Sequence, residues 1–396
     1  MPIILLTIPV FLMYIKLALN IPLVDSENWL TCPEPTIKAS LKETAFDLRD
    51  KIINRIDQQI KNEVKKVIVI YIPDRWLSYT SFHEENEDFD LHDYIKAYCA
   101  EKGIATQFIQ QGTINSTLQC QINWWLSLSY YVKSLRTPWV LENLDKSTAF
   151  AGIGYSVSNK KSAGGSIVLG CSHIYNSEGQ GLKYKLSKVE DQLYWDKQDK
   201  PHLSYNDAFR FGLSIKELFF NAMDELPKRV VVHKRNYFTQ DEINGLKDSL
   251  LSNDVTNIDL IEINFADDIR FLATKIAVGM PQADNYAVPR GTCIAFDDYS
   301  AFLWTHGIVS SVRNQDWRYY LGGKYIPGPL KITKHYGQSN IGTIANEILG
   351  LTKMNWNSFD LYSQLPATLN SSNEIARIGR LLSKRDGVTY DYRYFI

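Results

Sequence analysis

A short run of apolar, mostly β-branched residues, KVIVIYI at 66–72, limits most strongly how the chain can fold. Such a continuous run is typical of a strand that is buried on both faces of a parallel sheet. Asp90 can cap the helix that we predict next, over 91–102. A second strand over 104–110 and a longer helix over 119–136 follow. This alternation of strands and helices predicts a Rossmann-like α/β domain.

The residues before this alternation have a different character. An N-terminal extension, residues 1–60, begins with the apolar run MPIILLTIPVFLMYI and ends in a predicted amphipathic helix, SLKETAFDLRDKIINRI. The apolar run is too short for a membrane span, and it lacks the basic residues that begin a signal peptide. We therefore interpret it as a segment that packs on the protein or on a partner. The first α/β domain is placed at 61–145 and a second domain at 146–396.

The second domain begins with a predicted hairpin. Its two strands, 150–158 and 166–175, are joined by a polar turn that contains glycine. Strands and helices then alternate toward the C-terminus. We predict strands at 229–234, 257–265, 292–296 and 330–333, and helices at 206–225, 239–252, 341–351 and 371–382. An antiparallel start followed by β/α alternation is the order expected of an RNase H-like fold.

Composition argues against several classes of protein. Five widely spaced cysteines without a CxxC pair argue against a disulfide framework and a zinc site, and they fit a reducing cytoplasm. Lys plus Arg number 43 against 44 for Asp plus Glu, so a nucleic-acid-binding chain would need a local basic cleft or a partner that adds positive charge.

Four polar residues of the first domain are candidates for binding a terminal phosphate. His92 and Lys96 are four residues apart and share a helix face, Gln107 lies on the next strand, and Lys133 lies late in the following helix. In a parallel α/β sheet such positions can converge at one edge. Two or three cationic donors and an amide suit the charge and the acceptor oxygens of a phosphate. Each residue taken alone could equally be a solvated or locally satisfied polar side chain.

The stretches that contain these residues resemble the MID domain of short prokaryotic Argonautes and archaeal PIWI proteins. They are IYIPDRW, HDYIKAYC, TQFIQ and WWLSLSYYVKSLRTPW. In that family a Tyr or His, a Lys four residues later, a Gln and a second Lys bind the 5′-phosphate of a guide strand. The resemblance therefore implies this role for His92, Lys96, Gln107 and Lys133. It also implies that the C-terminal carboxylate, here of Ile396, joins a divalent cation such as Mg²⁺ beside the phosphate.

The second domain resembles a PIWI domain in motifs such as PKRVVVHK and LGLTKMNWN. An active PIWI domain holds two Mg²⁺ ions with carboxylates on its RNase H-like sheet. Here Gly154 and Arg235 stand where that family has catalytic aspartates, and Asn373 stands where it has an Asp or a His. Because an arginine opposes a bound cation and two carboxylates are missing, the resemblance implies a PIWI domain that does not cleave nucleic acid.

The resemblance implies a guide-binding subunit of a cytoplasmic defence system against plasmids or phages. Such proteins bind a short guide, usually RNA, and recognise a complementary target, usually DNA. They form heterodimers with an APAZ-containing effector that carries a TIR, sirtuin-like or nuclease domain. Four basic residues are candidates for contacts with the guide backbone, although solvated helix faces explain any one of them equally well: Lys334, Lys353, Arg377 and Arg380.

Two alternatives stay open at this point. The chain could be an active RNase H-like nuclease that uses other carboxylates. The candidates are Asp267, Asp268, Asp297 and Asp298. Asp297 and Asp298 follow a predicted strand and could bind metal, although an acidic pair in a loop is more often solvated. The second alternative is a Rossmann-like enzyme for a nucleotide, which is disfavoured because no GxGxxG or GxxxxGK[ST] motif follows a strand.

Overall fold

The computed structural model of the chain describes fourteen stretches that include most of both predicted domains. They are residues 31–59, 67–84, 87–142, 145–156, 168–170, 183–185, 187–188, 191, 193–272, 274–283, 288–309, 327–356, 363–382 and 388–395. The apolar run at the N-terminus lies outside the described residues, and our interpretation of it stays a prediction. No helix of the described residues is long and apolar enough to cross a membrane.

The N-terminal unit is built on two parallel strands, as the KVIVIYI run predicts. Strand β1 (Val67–Ile72) pairs with β4 (Ala105–Gln110), and Val69 lies opposite Gln107. An antiparallel hairpin, β2 (Ser81–Glu84) and β3 (Glu87–Asp90), lies between them in sequence and was not predicted. The helices of this unit are α1 (Leu41–Gln59), α2 (Leu91–Ala100), α3 (Gln111–Asn115) and α4 (Gln119–Lys133).

Local hydrogen bonds determine where helix α2 begins and ends. The side chain of Asp90 accepts a hydrogen bond from the amide of Asp93, so it caps the helix as predicted. The helix ends at Ala100, two residues before the predicted end, because the amide of Gly103 bonds to the Ala100 carbonyl. Gly103 has a φ of +68°, a left-handed conformation that glycine adopts without strain. This turn leads the chain directly into β4.

The second unit contains a mixed six-stranded sheet. Its parallel part consists of β5 (Thr148–Gly152), β12 (Arg229–Lys234) and β13 (Asn257–Phe265). Its antiparallel part consists of β16 (Cys293–Ala295), β17 (Ser300–Leu303) and β18 (Leu330–Tyr336). The order across the sheet is β16-β17-β18-β13-β12-β5. The helices of this unit are α5 (Tyr205–Met223), α6 (Gln240–Leu250), α7 (Ile341–Leu351) and α8 (Ala367–Gly379).

Apolar side chains cover both faces of this sheet. Along β12, Val230 and Val232 join the core that contains α5 and α6, whereas Val231 joins the core that contains α7 and α8. This alternation explains why the strand is a continuous apolar run. Ala97 and Leu128, from α2 and α4, belong to the same core as Val231. The two units therefore pack through a shared apolar layer, and the domain limits at 61–145 and 146–396 stay predictions.

The predicted strand over 150–158 is two strands. After β5, the amide of Ile153 bonds to the carbonyl of His233, and β6 (Gly154–Ser156) then leaves the large sheet. It pairs antiparallel with β7 (Val168–Gly170), so the hairpin is confirmed for the described residues.

Several shorter strands surround the large sheet. They are β8 (Lys183–Lys185), β9 (Ser187–Lys188), β10 (Tyr194–Trp195), β11 (Pro201–His202), β14 (Thr274–Ala277), β15 (Met280–Ala283) and β19 (Thr389–Asp391). Strand β19 pairs with β8, which ties the C-terminal segment to the second unit.

Candidate functional site

Gln107 lies at the centre of a polar cluster between β4 and α4. Its side-chain oxygen accepts hydrogen bonds from Ser129 Oγ at 2.7 Å and from Lys133 Nζ at 2.5 Å. Its amide nitrogen donates to the carbonyl of Phe108 at 2.9 Å. Three bonds fix the orientation of the amide. The structure thus brings together two of the four predicted phosphate ligands, Gln107 and Lys133.

Lys96 approaches the same cluster from α2. Its ammonium group donates to the carbonyl of Phe395 at 3.0 Å, although the two residues are 299 positions apart in sequence. The C-terminal segment is held there by Arg393, which bonds to the carbonyl of Leu135 at 2.7 Å. The chain terminus is therefore packed against the N-terminal unit. Ile396 itself lies outside the described residues, and its carboxylate stays a predicted metal ligand.

Burial lowers the pKa of both lysines in the guide-free protein. It lowers the pKa of Lys96 to about 8, although the nearby carboxylates of Glu374 and Asp93 act in the opposite direction. Burial also holds the pKa of Lys133 well below its usual value, and the positive charge of Lys96 lowers it further. The charged forms of the two lysines are disfavoured by burial and repel each other, so a bound anion would stabilise them.

His92 lies at the edge of this cluster. Its ring packs edge-on against Phe108, with the ring centroids 4.9 Å apart, and its side chain is less than half exposed. Burial lowers the pKa of His92, and the hydrogen-bonding contact with Asp93 partly opposes this shift. At neutral pH the ring is therefore a flat, mainly uncharged surface near Lys96.

Asp93 connects the cluster to the second unit and was missed by sequence reasoning. This buried carboxylate forms an ion pair with Arg377 of α8. Asp90, His92 and Asp93 offer ligand atoms that all lie within 4.8 Å of one another. Asp90 already caps α2, and Asp93 is already paired, so the three residues have structural roles without a metal ion. The i, i+2 and i+3 spacing of Asp90, His92 and Asp93 at the start of a helix was the sequence signal for this group.

A different arrangement surrounds Gly154, at the start of β6. A β-carbon placed on Gly154 would lie 2.6 Å from the carbonyl oxygen of Ser372 on α8. A β-carbon on Gly152, two residues earlier, would lie even closer to the carbonyl oxygen of Thr368. Helix α8 thus packs directly on the backbone of this strand. No side chain fits at residue 154 unless the helix moves.

The two residues before Arg235, His233 and Lys234, are fully buried. His233 contacts Thr368 Oγ1 at 2.8 Å through Nδ1, and burial lowers the pKa of His233 to about 3. Lys234, on the opposite face of β12, forms a buried ion pair with Glu242. The Arg235 guanidinium lies over the ring of Phe265, 4.2 Å from its centroid. Asn373 lies within α8.

Comparisons with known proteins agree with this architecture. No protein-family model matches the chain. An Argonaute from Aquifex aeolicus is 23% identical over 350 residues, which cover 85% of this chain and 42% of that protein. The structure of Clostridium butyricum Argonaute bound to a guide DNA and a 19-mer target DNA matches with a TM-score of 0.61 and 17% identity, over 90% of this chain and 41% of that one. The crystal structure of A. aeolicus Argonaute matches with a TM-score of 0.58 and 20% identity, over 89% and 43%.

The chain is similar to Argonaute proteins in sequence and in fold. It spans about two fifths of the length of the Argonautes it matches. The likeness to the solved structures establishes the fold, a MID unit followed by an RNase H-like PIWI unit, and the predicted fold class is confirmed. Within this Argonaute fold, the Gln107 cluster lies in the MID unit, and Gly154 and Arg235 lie in the PIWI unit.

Four carboxylates were candidates for an alternative nuclease site: Asp267, Asp268, Asp297 and Asp298. Asp297 accepts bonds from the amides of Tyr299 and Ser300, and these bonds lower its pKa. Burial lowers the pKa of Arg235, and the negative charge of Asp267 partly opposes this shift, so this carboxylate lies near a cation. Among the described residues, neither they nor Asp268 or Asp298 join a group of three metal-ligating side chains.

The four basic residues predicted to follow the guide lie in different environments. Lys334 is buried and donates to the carbonyl of Ser339 at 2.8 Å. Lys353 is exposed, and Arg377 is half exposed while it pairs with Asp93. Arg380 is partly buried at the end of α8. Only Lys353 and Arg377 among the four present substantial cationic surface, and the role of all four stays a prediction.

Proposed function

We propose that this chain is the guide-binding subunit of a short prokaryotic Argonaute defence system. It binds a short 5′-phosphorylated guide, RNA in the arrangement usual for this family, and recognises a complementary DNA target by base pairing. Target recognition then activates an effector protein. The structure of Clostridium butyricum Argonaute contains a guide DNA and a target DNA, which supports nucleic-acid partners for this chain.

The convergence of Lys96, Gln107 and Lys133 carries this proposal. A 5′-phosphate bears up to two negative charges and several acceptor oxygens, and it would restore the full charge of both lysines. Hydrogen bonds between ionised partners are roughly twice as strong as neutral ones. The side-chain amide nitrogen of Gln107 carries a second N–H besides the one that bonds to the Phe108 carbonyl, and it would add a neutral donor. We propose that the ring of His92 contacts the first nucleotide of the guide.

A divalent cation such as Mg²⁺ belongs to the same proposal. Carboxylate and phosphate oxygens are the ligands that Mg²⁺ prefers, and we propose that the Ile396 carboxylate supplies one of them. The position of Phe395 against Lys96 supports this assignment. When bound, the cation would neutralise charge on the guide. The residues described here position the chain terminus and the phosphate.

The proposal includes a PIWI unit that does not cleave its target. Close packing of Ser372 on Gly154 leaves no space for an aspartate at this position. The cation of Arg235 would repel Mg²⁺ from the position that follows β12. Two-metal catalysis depends on carboxylates that hold both ions, so these two changes support a guide-binding role.

An effector partner completes the proposed assembly, in the form of an APAZ-containing protein with a TIR, sirtuin-like or nuclease domain. The net charge of −1 supplies little general attraction for a duplex, and a basic partner would add it. A second feature also supports a protein partner. The hairpin of β14 and β15 exposes Ile276, Val278 and Met280, and contiguous exposed apolar side chains often mark protein interfaces.

Guide binding measured with two guide chemistries tests the central part of the proposal. Lys133→Ala should weaken a 5′-phosphorylated guide by about 1.5–3 kcal/mol, the range for hydrogen bonds to charged groups, which is roughly a 10- to 150-fold loss. The loss should nearly vanish for a 5′-hydroxyl guide. Lys197→Ala, at an exposed lysine without a proposed role, is the matched control. Equal losses for both guides would reduce Lys133 to a source of general attraction.

Cleavage assays separate the proposal from the nuclease alternative. The chain is incubated with guide, complementary target and Mg²⁺ or Mn²⁺. We expect intact target. Guide-directed cleavage at a fixed position, abolished by Asp297→Ala or Asp298→Ala, would replace the proposal with an active RNase H-like nuclease.

A further inference from the structure

Helix α4 carries a row of side chains that leads from the surface into the Gln107 cluster. Gln121, Trp125, Ser129 and Lys133 are spaced four residues apart, so they lie along one face of the helix. Exposure falls along the row. Gln121 is exposed, Trp125 is 46% exposed, Ser129 is partly buried and Lys133 is 5% exposed. The row is therefore a path toward the cluster.

The hydrogen bonds of Gln107 fix the direction in which this face points. Ser129 and Lys133 both donate to its side-chain oxygen. Trp125 lies one helical turn further out than Ser129, or about 6 Å along the helix axis. Its distance from Lys133 along the axis is about 12 Å, at 1.5 Å per residue. A ligand held at Lys133 that extends along this face would thus reach the indole ring.

The charge of α4 suits a polyanion. The helix reads QCQINWWLSLSYYVK, and Lys133 is its only charged residue. A phosphate backbone that runs along it therefore meets no acidic side chain of this helix. The half-exposed indole beside this path offers a flat aromatic surface, and bases stack on such surfaces with little dependence on sequence.

We infer that Trp125 is a stacking residue for a base within the first four nucleotides of the guide. This inference rests on the proposed function, because it takes the 5′-phosphate to be held by Gln107 and Lys133. Successive nucleotides of a stacked strand advance about 3.4 Å along its axis, so four of them span about 14 Å. That length matches the separation of Trp125 from Lys133.

Trp124 provides a matched control. It is the neighbouring residue, it is 50% exposed, and it lies about 100° further around the helix at 3.6 residues per turn. Substituting either residue removes an indole of similar exposure from the same helix. Of the two tryptophans, Trp125 lies on the helix face that carries Ser129 and Lys133, and Trp124 does not. A difference between the two variants therefore reports the position of the ring.

Guides with a single abasic site test the inference on the full chain. Binding of 5′-phosphorylated guides that lack the base at position 1, 2, 3 or 4 is measured with wild type, Trp125→Ala, Trp125→Phe and Trp124→Ala. Trp125→Ala should bind the intact guide about tenfold more weakly, within the range known for base–aromatic stacking. Trp125→Phe should retain most of the affinity, and Trp124→Ala should lie within about twofold of wild type.

The decisive comparison is between the intact and abasic guides. The effect of Trp125→Ala should disappear for one abasic position among the four, and it should persist with a 5′-hydroxyl guide. Equal losses for all abasic guides, or equal effects of Trp124→Ala and Trp125→Ala, would overturn the inference. Unchanged guide binding combined with impaired effector binding would also overturn it and assign the ring to a protein contact. Failure of the phosphate site itself is detected separately, by Lys133→Ala.

Discussion

Replacing Lys96 by methionine should stabilise the guide-free protein at neutral pH while it weakens guide binding. Burial lowers the pKa of Lys96 from 10.5 to about 8, so the folded protein holds this proton less readily than the unfolded chain. At 1.36 kcal/mol per pKa unit, the charged lysine costs the folded state about 3 kcal/mol. Loss of the hydrogen bond to the Phe395 carbonyl removes about 1 kcal/mol. The net gain in unfolding free energy is therefore about 2 kcal/mol.

The pH dependence follows from the direction of the shift. Because the folded-state pKa is the lower one, the destabilisation of wild type is complete below about pH 8 and disappears as the pH rises to 10.5. The advantage of Lys96→Met should shrink over the same interval. Denaturant unfolding of the guide-free proteins near pH 7 and pH 10 measures it, with Lys353→Met as the exposed control. A less stable variant near pH 7, or an advantage that does not change with pH, would refute the reasoning.

Three further predictions concern other parts of the molecule. Gly154→Ala should lower the free energy of unfolding by several kcal/mol, because the new β-carbon would lie 2.6 Å from the Ser372 carbonyl oxygen. Gly112→Ala is the control. No atom lies within 4 Å of its new β-carbon, so this variant should have an unchanged or higher melting temperature. A peptide tag fused after Ile396 should weaken guide binding and its response to Mg²⁺, unlike the same tag at the N-terminus. Co-expression with the effector encoded next to it should give a stable complex with a steeper salt dependence of duplex binding, whereas a fully competent monomer with an unchanged salt slope would contradict the heterodimer.

Strands buried on both faces could be predicted from sequence because their signal is local. The valines of β12 alternate between two cores, which requires an uninterrupted apolar run. The break at Ile153 could not be predicted, because it depends on the carbonyl of His233 and on α8, both distant in sequence. Helix α8 begins at Ala367, four residues before the predicted start, directly after Pro366. Proline is well suited to helix starts, and this signal was available.

The sequence predicts the cationic residues of the candidate site. It does not predict the residues with which they form hydrogen bonds and ion pairs. Lys96, Gln107 and Lys133 approach one another because a parallel β/α arrangement brings helix and strand residues to one edge. The carbonyl of Phe395 and the ion pair of Asp93 with Arg377 join residues almost 300 positions apart. Nothing near Asp93 in sequence indicates such a partner. Lys334 resembles an exposed lysine in sequence, but tertiary packing buries it against Ser339.

The position of α8 has a consequence for how this PIWI unit can change over evolutionary time. One end of the helix packs on the backbone of Gly152 and Gly154, and its other end pairs with Asp93 through Arg377. An aspartate introduced at residue 154 would displace the helix, and a displaced helix would disturb the ion pair beside the candidate phosphate site. An aspartate at residue 154 would therefore need a further change in α8 that makes room for its side chain, so a single substitution could not restore a carboxylate there.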